Sequence, residues 1–294
     1  MNRKEFIKYL SFFPLAGSVM KLNVLNSLAE SAANTDTMPV LFLGHGSPMN
    51  AIEENEFVAG FRNVGKGITK PTAIVCISAH WETKGTYITA MPSPRTIHDF
   101  WGFPQALFDV QYPAPGNPEL AKNIQAMVKK NHVELDESWG LDHGAWSVIK
   151  HLYPNADVPV IQLSLDYRQT PQYHYELAQQ LQALRNKGVL IVGSGNMVHN
   201  LGMVAWDKLN TDNYGYDWAI EANTKMKSFI LNNQHDALIN YSKNGKAFAL
   251  SIPTPEHYLP LLYVLGLKNK NETVSIFNDK AVGGSLYMTS VKVG

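Results

Sequence analysis

Four histidines of this chain each stand just past an apolar run. His45 lies in Gly44-His45-Gly46-Ser47-Pro48 after Val40–Leu43, and His80 in Ser78-Ala79-His80-Trp81-Glu82 after Ala73–Ile77. His199 lies in Gly193-Ser194-Gly195-Asn196-Met197-Val198-His199-Asn200 after Val189–Val192. His257 lies in Pro253-Thr254-Pro255-Glu256-His257-Tyr258 after Ala247–Ile252. Neutral imidazole ligates zinc and iron(II), and near pH 7 the same ring can take or give a proton. One such histidine would read as a hydrogen-bonded structural residue; four at the same topological place point to a site. Their intervals match neither a zinc finger nor HExxH. The fold must therefore assemble the centre, as it does for catalytic metals that keep an open coordination position. His45, His80 and His257 are the candidate metal ligands. Glu256, beside His257, is either an outer partner or the alternative carboxylate ligand, because adjacent residues on regular backbone point differently. His199 and His143, the latter in Asp142-His143-Gly144, are the candidate acid/base residues. Asp142 either orients an imidazole or is an exposed loop carboxylate. His98, His132, His151, His174 and His235 lack this context, although His98 sits in an aromatic loop.

The four apolar runs read as buried strands, and Val158–Leu163 as another. Two glycines flank His45 and Pro48 closes its turn, the signature of a tight bend at a strand end. In an open α/β sheet, ligands bind at the carboxyl ends of strands. Helices are expected over Glu53–Val64, over Pro118–Lys130 behind an Asn117 cap, after Leu141–Trp146 to about Leu152, over Pro171–Asn186 and Tyr216–Asn232, and from Leu259. Ser285–Val293 is expected to be an edge strand. The alternation predicts an α/β fold: a single domain over 38–294, a mainly parallel central sheet with helices on both faces, and a metal site at the carboxyl ends of the strands. Pro92–Pro115 is long, proline-rich and aromatic, and reads as a pocket wall or lid. Ser47, Trp81 and Tyr258 beside the histidines, with His98, Phe100 and Trp101 in the loop, are the candidate substrate-pocket residues. Arg95 is a candidate partner for a substrate carboxylate.

Composition narrows the classes. Hydrophobic residues make up 45% and charged residues 17%, which suits a globular chain with a sizeable core. Lys+Arg and Asp+Glu both number 25, so the basic surplus of a nucleic-acid binder is missing. The lone cysteine, Cys76, falls inside an apolar run and reads as a buried thiol. Residues 1–34 differ: Arg3, Lys4 and Lys8 precede the mostly apolar Tyr9–Met20, and small residues follow. This layout suits either a twin-arginine-like export signal, which would place the protein in the periplasm, or an amphipathic helix on a cytoplasmic protein. The apolar run is too short for a membrane span.

Taken in order, Gly44-His45-Gly46-Ser47-Pro48, Ser78-Ala79-His80-Trp81, Leu141-Asp142-His143-Gly144, Gly193 to Asn200 and Thr254-Pro255-Glu256-His257-Tyr258 resemble the LigB-like class III extradiol ring-cleavage dioxygenases. The closest likeness is to their 4,5-DOPA extradiol dioxygenase subgroup. The resemblance runs from about Met38 to the C-terminus. It implies a non-haem Fe(II) enzyme that opens a small DOPA-like catechol beside its diol with O2, and a site that can also carry zinc. It implies His199 as the base and His143 as a hydrogen-bonding partner of the substrate. The wider family uses two histidines and a glutamate; the subgroup implies the histidine of the Glu256-His257 pair, hence three histidine ligands. Two other readings use the same residues: a zinc-dependent hydrolase with His199 or Glu256 as base, and a non-catalytic binding protein like the Memo relatives of this fold. The last predicts that the histidines fail to converge.

Overall fold

A computed structural model of the chain describes residues 37–294. The reading of residues 1–34 as a signal or helix lies outside the described residues. The main sheet comprises β1 (Val40–Gly44), β2 (Ala73–Ser78), β3 (Val160–Gln162), β4 (Val189–Gly195), β5 (Val274–Phe277) and β6 (Ser290–Val293), in the order β3-β2-β4-β1-β6-β5. The first four in that order pair in parallel, and β6 pairs antiparallel with both β1 and β5. The sheet is therefore mainly parallel, as expected. The edge, however, is β5: the C-terminal strand lies one place inside it, because β5 pairs along the flank of β6 that an edge strand would leave open.

Alternate residues of each central strand feed two different cores. Val40 and Phe42 of β1, Val75 and Ile77 of β2, and Val189 and Ile191 of β4 enter one core; Leu41 and Leu43, Ile74 and Cys76, and Leu190 and Val192 enter the other. A strand covered on both faces must be apolar at every position, so these strands read as unbroken apolar runs. Each such side chain, fully buried, contributes about 1.5–3 kcal/mol. On one face pack α2 (Pro118–Met127), α4 (Pro171–Gln179), α5 (Asp217–Leu231), α6 (Lys246–Ser251) and α7 (Leu259–Gly266); on the other, α1 (Glu56–Lys66) and α3 (His143–Leu152). The helix starts are chemically marked. Asn55 accepts from Val58 N at 3.0 Å, Asn117 from Leu120 N at 2.9 Å and Asp142 from Ala145 N at 3.0 Å, each meeting one of the unpaired N–H groups of a first turn.

One of the four apolar runs is not a strand. Ala247–Ser251 belong to α6 and Ile252 caps it, with Ala247 and Phe248 packing into the first core. A six-residue apolar stretch carries too little period to separate a buried strand from a buried helical turn. The helix expected over Pro171–Asn186 also stops at Gln179, with a separate turn at Gln182–Arg185. Among the described residues no helix is long and apolar enough to cross a membrane.

Candidate metal centre

Strand register brings the carboxyl ends together. Gly44 of β1 pairs with Gly195 of β4, and Ser78 of β2 with Ser194 of β4, so the chain leaves three neighbouring strands at one level. Backbone bonds continue past the ends: His45 N donates to Gly195 O at 3.1 Å, Ala79 N to Ser194 O at 3.0 Å, and Asn196 N to His257 O at 2.9 Å. The last bond draws the α6–α7 connection, and with it His257, onto the end of β4. Gly195 permits this approach. A Cβ there would fall 2.1 Å from His257 O, so the position has no room for a side chain. The buried Asn196 side chain then locks the first turn, accepting from Gly46 N at 3.1 Å and donating to Tyr287 O at 2.8 Å.

His45, His80 and His257 each offer one ring nitrogen to a cluster in which these atoms all lie within 4.8 Å of one another. His45 Nε2 and His80 Nε2 are 3.3 Å apart. Two nitrogens bound about 2.0–2.2 Å from one ion would stand roughly 3.0–3.5 Å apart, so this spacing suits a shared cation. The other nitrogen of each ring has its own partner. His45 Nδ1 lies 3.0 Å from Ser194 Oγ, whose proton is given to Gly144 O, so the imidazole must be the donor. His80 Nδ1 lies 3.5 Å from Asp99 Oδ2, and His257 Nδ1 lies 3.1 Å from Glu256 Oε1. Acceptors on all three Nδ1 atoms favour the tautomers whose Nε2 lone pairs are free, the usual arrangement behind metal-ligating histidines. Burial, reinforced by the neighbouring imidazoles, holds His45 and His257 well below the usual imidazole pKa. Burial also pushes His80 down to about 3, with His143 acting in the same direction. The rings are thus neutral near pH 7, the form that binds metal. The donor set fits a divalent transition metal.

Two further clusters flank this one and share a residue with it: His80 with Asp99 and His143, and His257 with Glu256 and His199. His143 opens α3, and its ring centroid is 3.8 Å from that of His80. His199 lies against His257 on the opposite side. Burial lowers His199 to about 4, with Glu256 pulling the other way. His45, His143 and His257 are buried, whereas His80, His199 and Glu256 are partly exposed and form the open side. Glu256 Oε1 also accepts from Thr254 Oγ1 at 2.8 Å, so its carboxylate is braced beside His257.

The remaining expectations divide. Phe100 meets His143 edge-on at 5.6 Å and walls the site. His98 is turned inward, with Nε2 2.9 Å from Val110 O and its ring against Phe100, Phe108 and Trp146, so it ties the aromatic loop to itself. Trp101 is 86% exposed and points to solvent. Tyr258 is a core residue that donates its hydroxyl to Leu238 O at 2.9 Å. Ser47 caps the turn Pro48–Ala51. Trp81 is buried and stacks on Trp139 at 5.8 Å. Arg95 is engaged through Nε with Trp139 O at 3.0 Å. Asp142 is neither exposed nor bound to an imidazole: it is buried, accepting from Ser78 Oγ at 2.6 Å and Gln162 Nε2 at 2.9 Å as well as capping α3. The carboxylate that faces His80 and His143 is Asp99, which the sequence reading passed over. Its signal was slight: one acid beside His98, within an aromatic loop.

A family model described as the catalytic LigB subunit of aromatic ring-opening dioxygenase matches residues 39–286. The chain belongs to the LigB family. It is 47% identical over 262 residues to the 4,5-DOPA dioxygenase extradiol of Escherichia coli (strain K12), covering 87% of this chain and 95% of that relative. It is 34% identical over 260 residues to the 4,5-DOPA dioxygenase extradiol of Beta vulgaris, covering 85% and 94%. The crystal structure of an uncharacterized protein from Escherichia coli K12 superposes with a TM-score of 0.75 at 42% identity, covering 87% of this chain and 100% of that one. This LigB member is thus an extradiol ring-cleaving dioxygenase with a metal cofactor, acting on an aromatic substrate with O2. Neither the hydrolase nor the binding-protein reading is favoured by these relatives.

Proposed function

We propose that residues 38–294 form an Fe(II)-dependent extradiol dioxygenase domain that opens the ring of a small DOPA-like catechol. His45, His80 and His257 hold the metal, His199 is the acid/base residue, and His143 hydrogen-bonds the substrate. Glu256 is an outer partner of His257 rather than a ligand. The observation that carries the reading is the convergence of three imidazoles whose Nδ1 atoms face Ser194 Oγ, Asp99 and Glu256. The substrate class is supported by the relatives that bear the 4,5-DOPA name.

When bound, Fe(II) acts as a Lewis acid toward the catechol hydroxyls and as the redox partner of oxygen. The chain does the rest. His199 is neutral at pH 7 and partly exposed, so its free lone pair can take a hydroxyl proton and later return it. His143 faces the same space from the opposite flank, with its buried Nδ1 turned to Asp99. Phe100 covers His143 and keeps water from that side, and a dry site strengthens every polar contact inside it.

The test is anaerobic reconstitution with Fe(II), followed by L-DOPA and air. Yellow ring-fission product with matching oxygen uptake supports the reading. Ester or amide hydrolysis by zinc-loaded protein, with no oxygen uptake after iron loading, overturns it.

A further inference from the structure

We propose that Asp99 is a positioning residue that sets the tautomers of His80 and His143 together, so that one carboxylate from the aromatic loop governs both a metal ligand and a substrate-facing imidazole. This rests on the ligand assignment above. Asp99 Oδ1 accepts from His143 N at 2.8 Å, which fixes the carboxylate at the start of α3. Its Oδ2 lies 2.9 Å from His143 Nδ1 and 3.5 Å from His80 Nδ1. The approach to His143 Nδ1 is off the ring N–H line, yet that nitrogen is buried and has no other polar partner among the described residues. A carboxylate only accepts, so both rings are driven to carry their proton on Nδ1. His80 then presents a free Nε2 to the metal, and His143 a free Nε2 to the substrate.

The loop that brings Asp99 here is anchored, not loose. Ile97 N donates to Leu141 O at 2.7 Å, and Trp146 Nε1 donates to Ile97 O at 2.8 Å. Phe100, the next residue, covers His143. The wall of the pocket and the tautomer of two imidazoles are therefore set by consecutive residues. Loss of loop position would loosen the metal as well as the substrate.

The decisive substitution is Asp99→Asn. Oδ1 would stay on His143 N, leaving the amide NH2 to face two ring nitrogens. It would favour the opposite tautomers and take the Nε2 lone pairs away. Metal affinity of the full chain, measured by competition with a chromogenic chelator, should fall 10–100-fold. In zinc-loaded, histidine-labelled protein, the 15N ring shifts should move the His143 proton from Nδ1 to Nε2, a change that general loosening would not produce. Asp99→Glu, which keeps an acceptor, should retain more affinity than Asp99→Asn and keep the His143 tautomer. Unchanged affinity and tautomer in Asp99→Asn, or equal losses in the two variants, would overturn the inference. If His80→Ala loses metal while Asp99→Asn does not, only the inference fails; if His80→Ala keeps full metal, the ligand assignment itself fails.

Discussion

The imidazole of His199 lies flat on that of His257, with ring centroids 3.6 Å apart and planes 7° from parallel. Stacking fixes the height and tilt of the outer ring, and among the described residues no hydrogen bond occupies its edge nitrogens. That is a useful state for a proton carrier. Removing the ring as His199→Ala should leave metal content unchanged and lower turnover about 10²–10⁴-fold, the usual worth of acid/base help. Metal analysis beside oxygen-uptake rates checks both halves. Turnover within a few-fold of the parent would remove His199 from the mechanism.

Ser194 allows the proposed ligand His45 to be told apart from its support. Its hydroxyl takes the Nδ1 proton of His45 and gives its own to Gly144 O, all of it buried. His45→Ala should abolish stoichiometric metal binding, because two imidazoles hold a labile ion poorly. Ser194→Ala should keep the metal but weaken it about 10–100-fold, and cost about 1–3 kcal/mol in stability from the buried His45 Nδ1–H left without its acceptor. Chelator competition and urea unfolding resolve the two effects. Equal affinity in Ser194→Ala and the parent would show that this hydroxyl does not orient the ligand.

At Gly195 the demand is for space rather than for special backbone angles. A methyl group there would press on His257 O, a backbone atom that cannot swing aside. Gly195→Ala should push the α6–α7 connection outward, lose the Asn196 N to His257 O bond, and reduce metal occupancy well below stoichiometric while the sheet remains folded. Circular dichroism with metal analysis distinguishes this from global unfolding. Full occupancy in the variant would mean that the connection tolerates the shift.

These sites show what a sequence can reveal. His45, His80 and His199 were legible because each follows an apolar run, with glycines also marking the turns before His45 and His199, and strand ends share one topological level. His257 reached the same place from a helix, α6, which a short apolar run could not disclose. Asp142 had a readable cue, a carboxylate three residues before Ala145 at a helix start, and its role is the cap. Asp99 had none. It matters only because a loop leaving the sheet returns to meet the ends of β2 and α3, contacts of 19 and 44 residues' separation in the chain that no local pattern encodes. The edge position of β5 was equally hidden, since strand pairing is a long-range choice.

A separate histidine should shape acid stability. His174 on α4 is fully buried, with Nδ1 3.0 Å from Tyr263 Oη of α7, and burial lowers it to about 4. Its unfolded counterpart titrates near 6.5, so between those two values the unfolded chain binds more protons than the folded one. Stability therefore rises with pH across that window: it is fully present above about 6.5 and is lost as pH falls toward 4. The whole shift corresponds to about 3 kcal/mol, of which about 2 kcal/mol should be lost between pH 7.5 and 5. In His174→Gln that share of the fall should vanish, whatever the variant's stability at neutral pH, because glutamine does not titrate. Urea unfolding of metal-free parent and variant at both pH values gives the difference directly. The same pH slope in the two proteins would mean that His174 is already protonated in the folded state, or takes no part in the acid transition.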